Sequence, residues 1–62
     1  MTELLTRSQL AKLLSVSTRT IDRLMKEERL PHYRVGGQYR YRLQEIHEWM
    51  ELRRIDAKPI LF

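Results

Sequence analysis

The stretch Leu13-Leu14-Ser15-Val16-Ser17-Thr18-Arg19-Thr20-Ile21-Asp22-Arg23-Leu24 decides the fold, because an apolar helical run ends inside it and a charged one begins. Upstream, Thr6 suits the N-cap of a helix over residues 7–14, where Leu10, Ala11, Leu13 and Leu14 recur at helical spacing. Ser15-Val16-Ser17 breaks that helix. Ser17 then stands where its hydroxyl accepts from the backbone amide of Thr20, a cap worth about 1 kcal/mol. A second helix is expected over residues 18–28, with Ile21, Leu24 and Met25 as an inward stripe. Thr18, Arg19, Asp22, Arg23 and Lys26 share the opposite side, since positions 19, 22, 23 and 26 follow the i, i+3, i+4, i+7 rule. Leu30-Pro31 stops the helix.

Beyond Pro31 the period changes to two. Tyr33 and Val35 alternate with His32 and Arg34, and Tyr39 and Tyr41 alternate with Gln38 and Arg40. Gly36-Gly37 sits between the two runs, and two glycines can both take the positive φ of a type I′ turn. The expectation is a β-hairpin with one aromatic, core-facing side and one basic side. Residues 43–54 read as a third helix, with Leu43, Ile46 and Trp49 spaced in threes and Glu45 and Glu48 near its N-terminus, where the helix dipole favours acids. The predicted core is Leu10, Leu14, Ile21, Leu24, Val35, Tyr39, Ile46 and Trp49. The fold class is mainly α with a β-hairpin: two helices joined by a turn, a two-stranded wing, and a third helix. It occupies residues 1–54, and residues 55–62, ending Ile60-Leu61-Phe62, form a short tail that could contact another protein.

Bulk properties narrow the function. Sixty-two residues make one small core, which leaves no room for a deep substrate cavity and points away from an enzyme and from a small-molecule substrate. There is no cysteine, so disulfide and thiolate-metal frameworks are excluded. His47-Glu48-Trp49-Met50-Glu51 brushes the zinc-protease pattern, but glutamate replaces its second histidine and no third ligand follows, so no metal or other cofactor is expected. Apolar runs are short, and Glu3 lies where a secretory signal would carry positive charge, so the expected setting is the cytoplasm, without a membrane. The formal net charge is +4. It is concentrated in residues 32–42, where three arginines meet no acid.

A helix, a three-residue turn and a second helix with a basic outer face describe a helix-turn-helix, whose second helix enters the major groove of DNA. The competing reading is an ordinary helical hairpin with a solvated face. Arginine's fork matches guanine O6 and N7, and lysine and threonine serve bases or phosphates, so Thr18, Arg19, Arg23 and Lys26 suit a groove. Asp22 is suited to orienting an arginine or accepting from cytosine N4. In the hairpin, Arg34, Arg40 and Arg42 lie on or beside a thin ribbon whose glycine tip can approach a phosphate. A charged, aggregation-resistant edge is the plainer explanation of those arginines. Tyr33, Tyr39 and Tyr41 fit the core better than a base-stacking platform. His32 reads as a surface or phosphate-adjacent histidine.

The string Leu4-Leu5-Thr6, Leu10-Ala11-Lys12-Leu13-Leu14-Ser15-Val16-Ser17-Thr18-Arg19-Thr20-Ile21-Asp22-Arg23-Leu24, Leu30-Pro31, Arg34-Val35-Gly36-Gly37, Tyr39-Arg40, Ile46 and Trp49 resembles the excisionase family of small DNA-binding domains, within the MerR-like winged-helix superfamily. The resemblance implies major-groove contacts from Thr18, Arg19 and Arg23, wing contacts from Arg34, Gly37 and Arg40, with Gly36 and Gln38 beside them, and no enzymatic activity. It also implies a role in DNA excision, assisting an integrase by bending attachment-site DNA, or a role as a small transcription regulator. Expected partners are double-stranded DNA, an integrase, and further copies of the chain assembled on DNA. A protein-interaction adaptor with a basic face is the alternative from another class. Two positions depart from the family pattern: Gln38 follows the glycines where a basic residue is common, and Arg42-Leu43 opens the third helix in place of proline or a serine-like cap.

Overall fold

A computed structural model describes residues 4–55. The Ile60-Leu61-Phe62 tail lies outside the described residues. The element order is β1 (Leu4–Leu5), α1 (Arg7–Leu14), α2 (Thr18–Glu27), β2 (Tyr33–Val35), β3 (Gln38–Arg42) and α3 (Leu43–Leu52).

Each break between elements has a local chemical cause. Thr6 caps α1 through a reciprocal box: its hydroxyl accepts from the Gln9 amide at 3.1 Å, and Gln9 Oε1 accepts from the Thr6 amide at 2.9 Å. The helix closes at Ser15, which takes the left-handed conformation at φ 58°, so that the Val16 amide returns to the Ala11 carbonyl at 2.9 Å. This is a Schellman closure made with serine where glycine is usual. Two residues later Ser17 caps α2, accepting from the Thr20 amide at 3.1 Å. The three-residue turn therefore consists of one helix's stop and the next helix's start, which sets the angle between α1 and α2.

At the far end of α2, Arg29 adopts φ 56° and Leu30 folds back, its amide reaching the Leu24 carbonyl. That reversal buries Leu30, read from sequence only as part of a helix stop. The hydrophobic centre is Leu10, Ala11, Ile21, Leu30, Tyr41 and Ile46, with Leu5, Leu14, Leu24, Met25 and Trp49 packed around it. Apolar burial of this kind is the main driving force available to so small a domain.

The sheet has order β1-β3-β2, all antiparallel. Its third strand, β1, is two residues long and pairs Leu4 with Arg42 and Leu5 with Tyr41. Gly36 and Gly37 both have positive φ, at 57° and 82°, as the tight tip requires. In α3 the helix begins at Leu43 without a side-chain cap hydrogen bond, and Glu45 in its first turn supplies a negative charge to that end. The helix ends at Leu52, two residues short of the expected 54. Its C-terminal turn is tied to α2: Trp49 Nε1 and Arg53 Nη2 both donate to the Glu28 carbonyl, and the Arg53 guanidinium lies 4.4 Å from the centre of the Trp49 ring.

The hairpin corrects two core assignments. Val35 is 53% exposed and Tyr39 is 37% exposed, so neither belongs to the core. For Val35 the cause is the register: Tyr33 faces Arg40, Arg34 faces Tyr39, and Val35 faces Gln38. Residues directly opposed in an antiparallel pair point to the same side of the sheet. Tyr33 and Val35 therefore share a face with Gln38, Arg40 and Arg42, while Arg34 shares the other with Tyr39 and Tyr41. There is no aromatic side and no basic side. Tyr41 is fully buried because β1 flanks the base of the hairpin where Tyr41 sits, whereas Tyr39 lies two residues nearer the tip.

Candidate nucleic-acid interface

The outer face of α2 forms as its periodicity requires. Thr18, Arg19, Asp22, Arg23 and Lys26 are all exposed, while Ile21 on the opposite side is fully buried. Two caps hold this face at a fixed angle, since Ser17 starts the helix and the Glu28 carbonyl beyond its end is held by Trp49 and Arg53. Arg19, Thr20 and Arg23 border a shallow hollow of about 270 Å³. Among the described residues, Arg19, Arg23 and Lys26 enter no ion pair, so three cations stand open to a polyanion. Asp22 differs: Arg7, the first residue of α1, donates to its Oδ1 at 2.7 Å. The hydrogen bond first, and the attraction second, push the Arg7 guanidinium above its ordinary range.

The hairpin lies beside α2. Arg7, Asp22, Met25, Lys26, His32 and Tyr39 line the groove between them. His32 is fixed there by a 2.7 Å contact from Nδ1 to the Leu30 carbonyl oxygen and by an edge-on packing against the Tyr39 ring at 5.2 Å. A second hollow, lined by Thr6, Arg7, Ser8, Gly37, Gln38, Tyr39 and Arg40, joins the start of α1 to the hairpin tip.

The three wing arginines are not equivalent. Arg34 is exposed and, among the described residues, has no ion pair. Arg40 folds along its own strand, donating to the Tyr39 carbonyl and to Gln38 Oε1, both at 2.8 Å. Arg42 turns toward α3: it lies 5.4 Å from the Tyr33 ring centre and 3.6 Å from Glu45, with its Nε buried and lacking an acceptor among the described residues. The Tyr33 hydroxyl donates to Glu45 Oε2, and that bond, with burial second, raises the Tyr33 pKa above 10.0. Gly36, Gly37 and Gln38 form the exposed tip, where a Cβ added to either glycine meets no atom within 4 Å.

Two residues of this surface escaped the sequence reading as site candidates. Periodicity alone puts Tyr39 in the core, whereas the structure leaves it 37% exposed opposite Arg34. Arg7 carried no signal, because its partner is 15 residues away on a different helix.

Two helices set at a capped turn, with a three-stranded antiparallel sheet whose hairpin stands beside the second helix, make a winged helix-turn-helix domain. The chain belongs to the helix-turn-helix domain family, whose signature spans residues 4–54. In that class the second helix is the DNA-reading element. Two proteins of Mycobacterium tuberculosis, from strains CDC 1551 / Oshkosh and ATCC 25618 / H37Rv, are each 38% identical to this chain over 56 residues, covering 90% of it and 72% of their own length. Both carry names that describe DNA binding. No solved structure gives a significant match. Among the described residues, no helix is long and apolar enough to cross a membrane.

Proposed function

We propose that this protein binds double-stranded DNA sequence-specifically, with α2 in the major groove and the hairpin along the neighbouring backbone. The observation that carries this reading is the α2 face itself, where Arg19, Arg23 and Lys26 are exposed and unpaired among the described residues on a helix fixed at both ends. Arginine and lysine on one helix face supply both base contacts and phosphate neutralisation. The names of the two mycobacterial relatives point the same way.

Within that function we place the protein as an excisionase-like recombination directionality factor. Copies bind adjacent sites, bend attachment-site DNA and assist an integrase. The support is the resemblance carried by Ser17-Thr18-Arg19-Thr20-Ile21, Leu30-Pro31, Arg34-Val35-Gly36-Gly37 and Trp49. A single module of this kind covers roughly 600 to 1,000 Å² of its own surface on DNA, which favours several copies acting together. No catalytic step belongs to this role.

Mapping the DNA recovered with the protein from its own cells tests the reading. Clusters of sites at the ends of a mobile element are expected. Sites at promoters would make the protein a small transcription regulator, and no enrichment above background would favour an adaptor whose basic face meets an acidic protein.

A further inference from the structure

Asp22 poses a problem for a DNA-reading helix. Its carboxylate stands among Arg19, Arg23 and Lys26 on the exposed face, where a negative charge repels phosphate unless a cation holds it. That cation is Arg7. The Thr6–Gln9 capping box fixes the first turn of α1, and the packing of α1 on α2 brings Arg7 Nη1 to 2.7 Å from Asp22 Oδ1. Both side chains remain about half exposed, at 48% and 50%, and an exposed pair of this kind adds little to folding stability. Its placement is more informative. Arg7 borders the groove between α2 and the hairpin and also the hollow leading to the hairpin tip, so it stands between the two elements that would grip DNA.

The donor and acceptor inventory completes the argument. Guanidinium has five N–H donors, and one of them is spent on Asp22 Oδ1, leaving others for a phosphate oxygen. A carboxylate only accepts, and cytosine presents its N4 amino group as a donor in the major groove. Resting on the DNA-binding reading above, we propose that Arg7 is a positioning residue for base recognition. Clamped to Asp22, it holds the carboxylate as an acceptor for a cytosine amino group and ties it to the DNA backbone through its remaining N–H donors.

The test begins with selection of a preferred site from a randomised duplex pool by the full chain. Binding is then measured on that site, on versions with one C·G pair replaced by T·A, and on a scrambled duplex, alongside thermal unfolding of each variant. The wild-type protein is expected to prefer C·G at one position by about tenfold or more. Asp22→Ala should abolish that preference, and Asp22→Asn, whose amide oxygen still accepts, should weaken it, neither lowering the melting temperature. Arg7→Ala should reduce the same preference and weaken the scrambled duplex as well. Arg7→Lys should regain affinity for the scrambled duplex without regaining the preference, because lysine keeps the charge and loses the fork. An Arg7→Ala protein that keeps the wild-type preference at every position overturns the proposal, as does a loss of binding that merely follows a loss of thermal stability. A wild-type chain that selects no site and binds no duplex would remove the DNA-binding reading itself, an outcome distinct from an Arg7 variant that behaves like wild type.

Discussion

The α1-turn-α2 segment and the hairpin are equally well marked in sequence, yet α2 takes the faces its periodicity predicts, α1 departs from them at Leu13, which is 55% exposed, and the hairpin mixes its two sides. In α2 the side a residue occupies is fixed within the helix, by 3.6 residues per turn and by the Ser17 cap, so Ile21 goes in and Arg23 goes out whatever else the chain does. In the hairpin the side is fixed between strands. Alternation within β2 and within β3 is real, but Gly36-Gly37 decides how the two alternations are phased, and a two-residue tip sets Val35 against Gln38. The phase places Tyr33 with Arg40 and Tyr39 with Arg34, mixing what periodicity alone would separate. Helix faces can be read from one segment; strand faces need the turn.

The sharpest way to break this comparison is to truncate positions the hairpin's alternation treats alike. Tyr41→Ala, at a fully buried site, should cost about 3–5 kcal/mol, which removes the cooperative urea transition of a domain this small. Val35→Ala, at a half-exposed site, should shift the same transition by about 0.5 kcal/mol or less. Equal costs would mean that the register places both inside. Next in size, Gly37→Ala should destabilise by about 1–2 kcal/mol even though an added Cβ meets no atom within 4 Å, because the cost is purely that of φ at 82°. A neutral result in chemical denaturation would mean the tip does not hold the I′ geometry that sets the phase. On the helical side, Ser17→Ala should cost about 1 kcal/mol in the same assay while leaving the hairpin intact.

The smallest effect is alkaline. Burial raises the Tyr41 pKa, and the bond to Glu45 raises that of Tyr33, each above 10.0. A group whose folded pKa lies above its unfolded value contributes stability that is complete below the unfolded pKa and lost as pH rises through the folded one. Stability should therefore be level below about pH 9 and decline above pH 10, and Tyr33→Phe should soften the decline. A Tyr33→Phe profile that falls as steeply as wild type would assign the decline elsewhere.

What was legible follows from the same distinction. The caps at Thr6 and Ser17, the three helices, the glycine tip and the exposed α2 face all depend on short-range patterns, and the structure contains each of them. The rest depends on partners far along the chain. Leu4–Leu5 is too short to signal a strand, and it becomes one only because β3 offers its free edge some 37 residues later. Leu30 enters the core because Arg29 takes a left-handed turn that arginine's preferences do not announce. Arg42, counted with the wing, is drawn toward Glu45 and Tyr33 by the helix that starts immediately after it. Arg7 joins the candidate interface through an ion pair between two helices, which no single-segment period reveals.

The division of labour between α2 and the wing is tested most directly by measuring Arg23→Ala and Arg34→Ala on a selected duplex and on a scrambled one at the same salt concentration. The account predicts that Arg23→Ala loses about 1–3 kcal/mol on the selected site and much less on the scrambled one, while Arg34→Ala weakens both alike. If Arg23→Ala weakened both duplexes equally, α2 would be holding the backbone and not reading bases, and the central claim would fail.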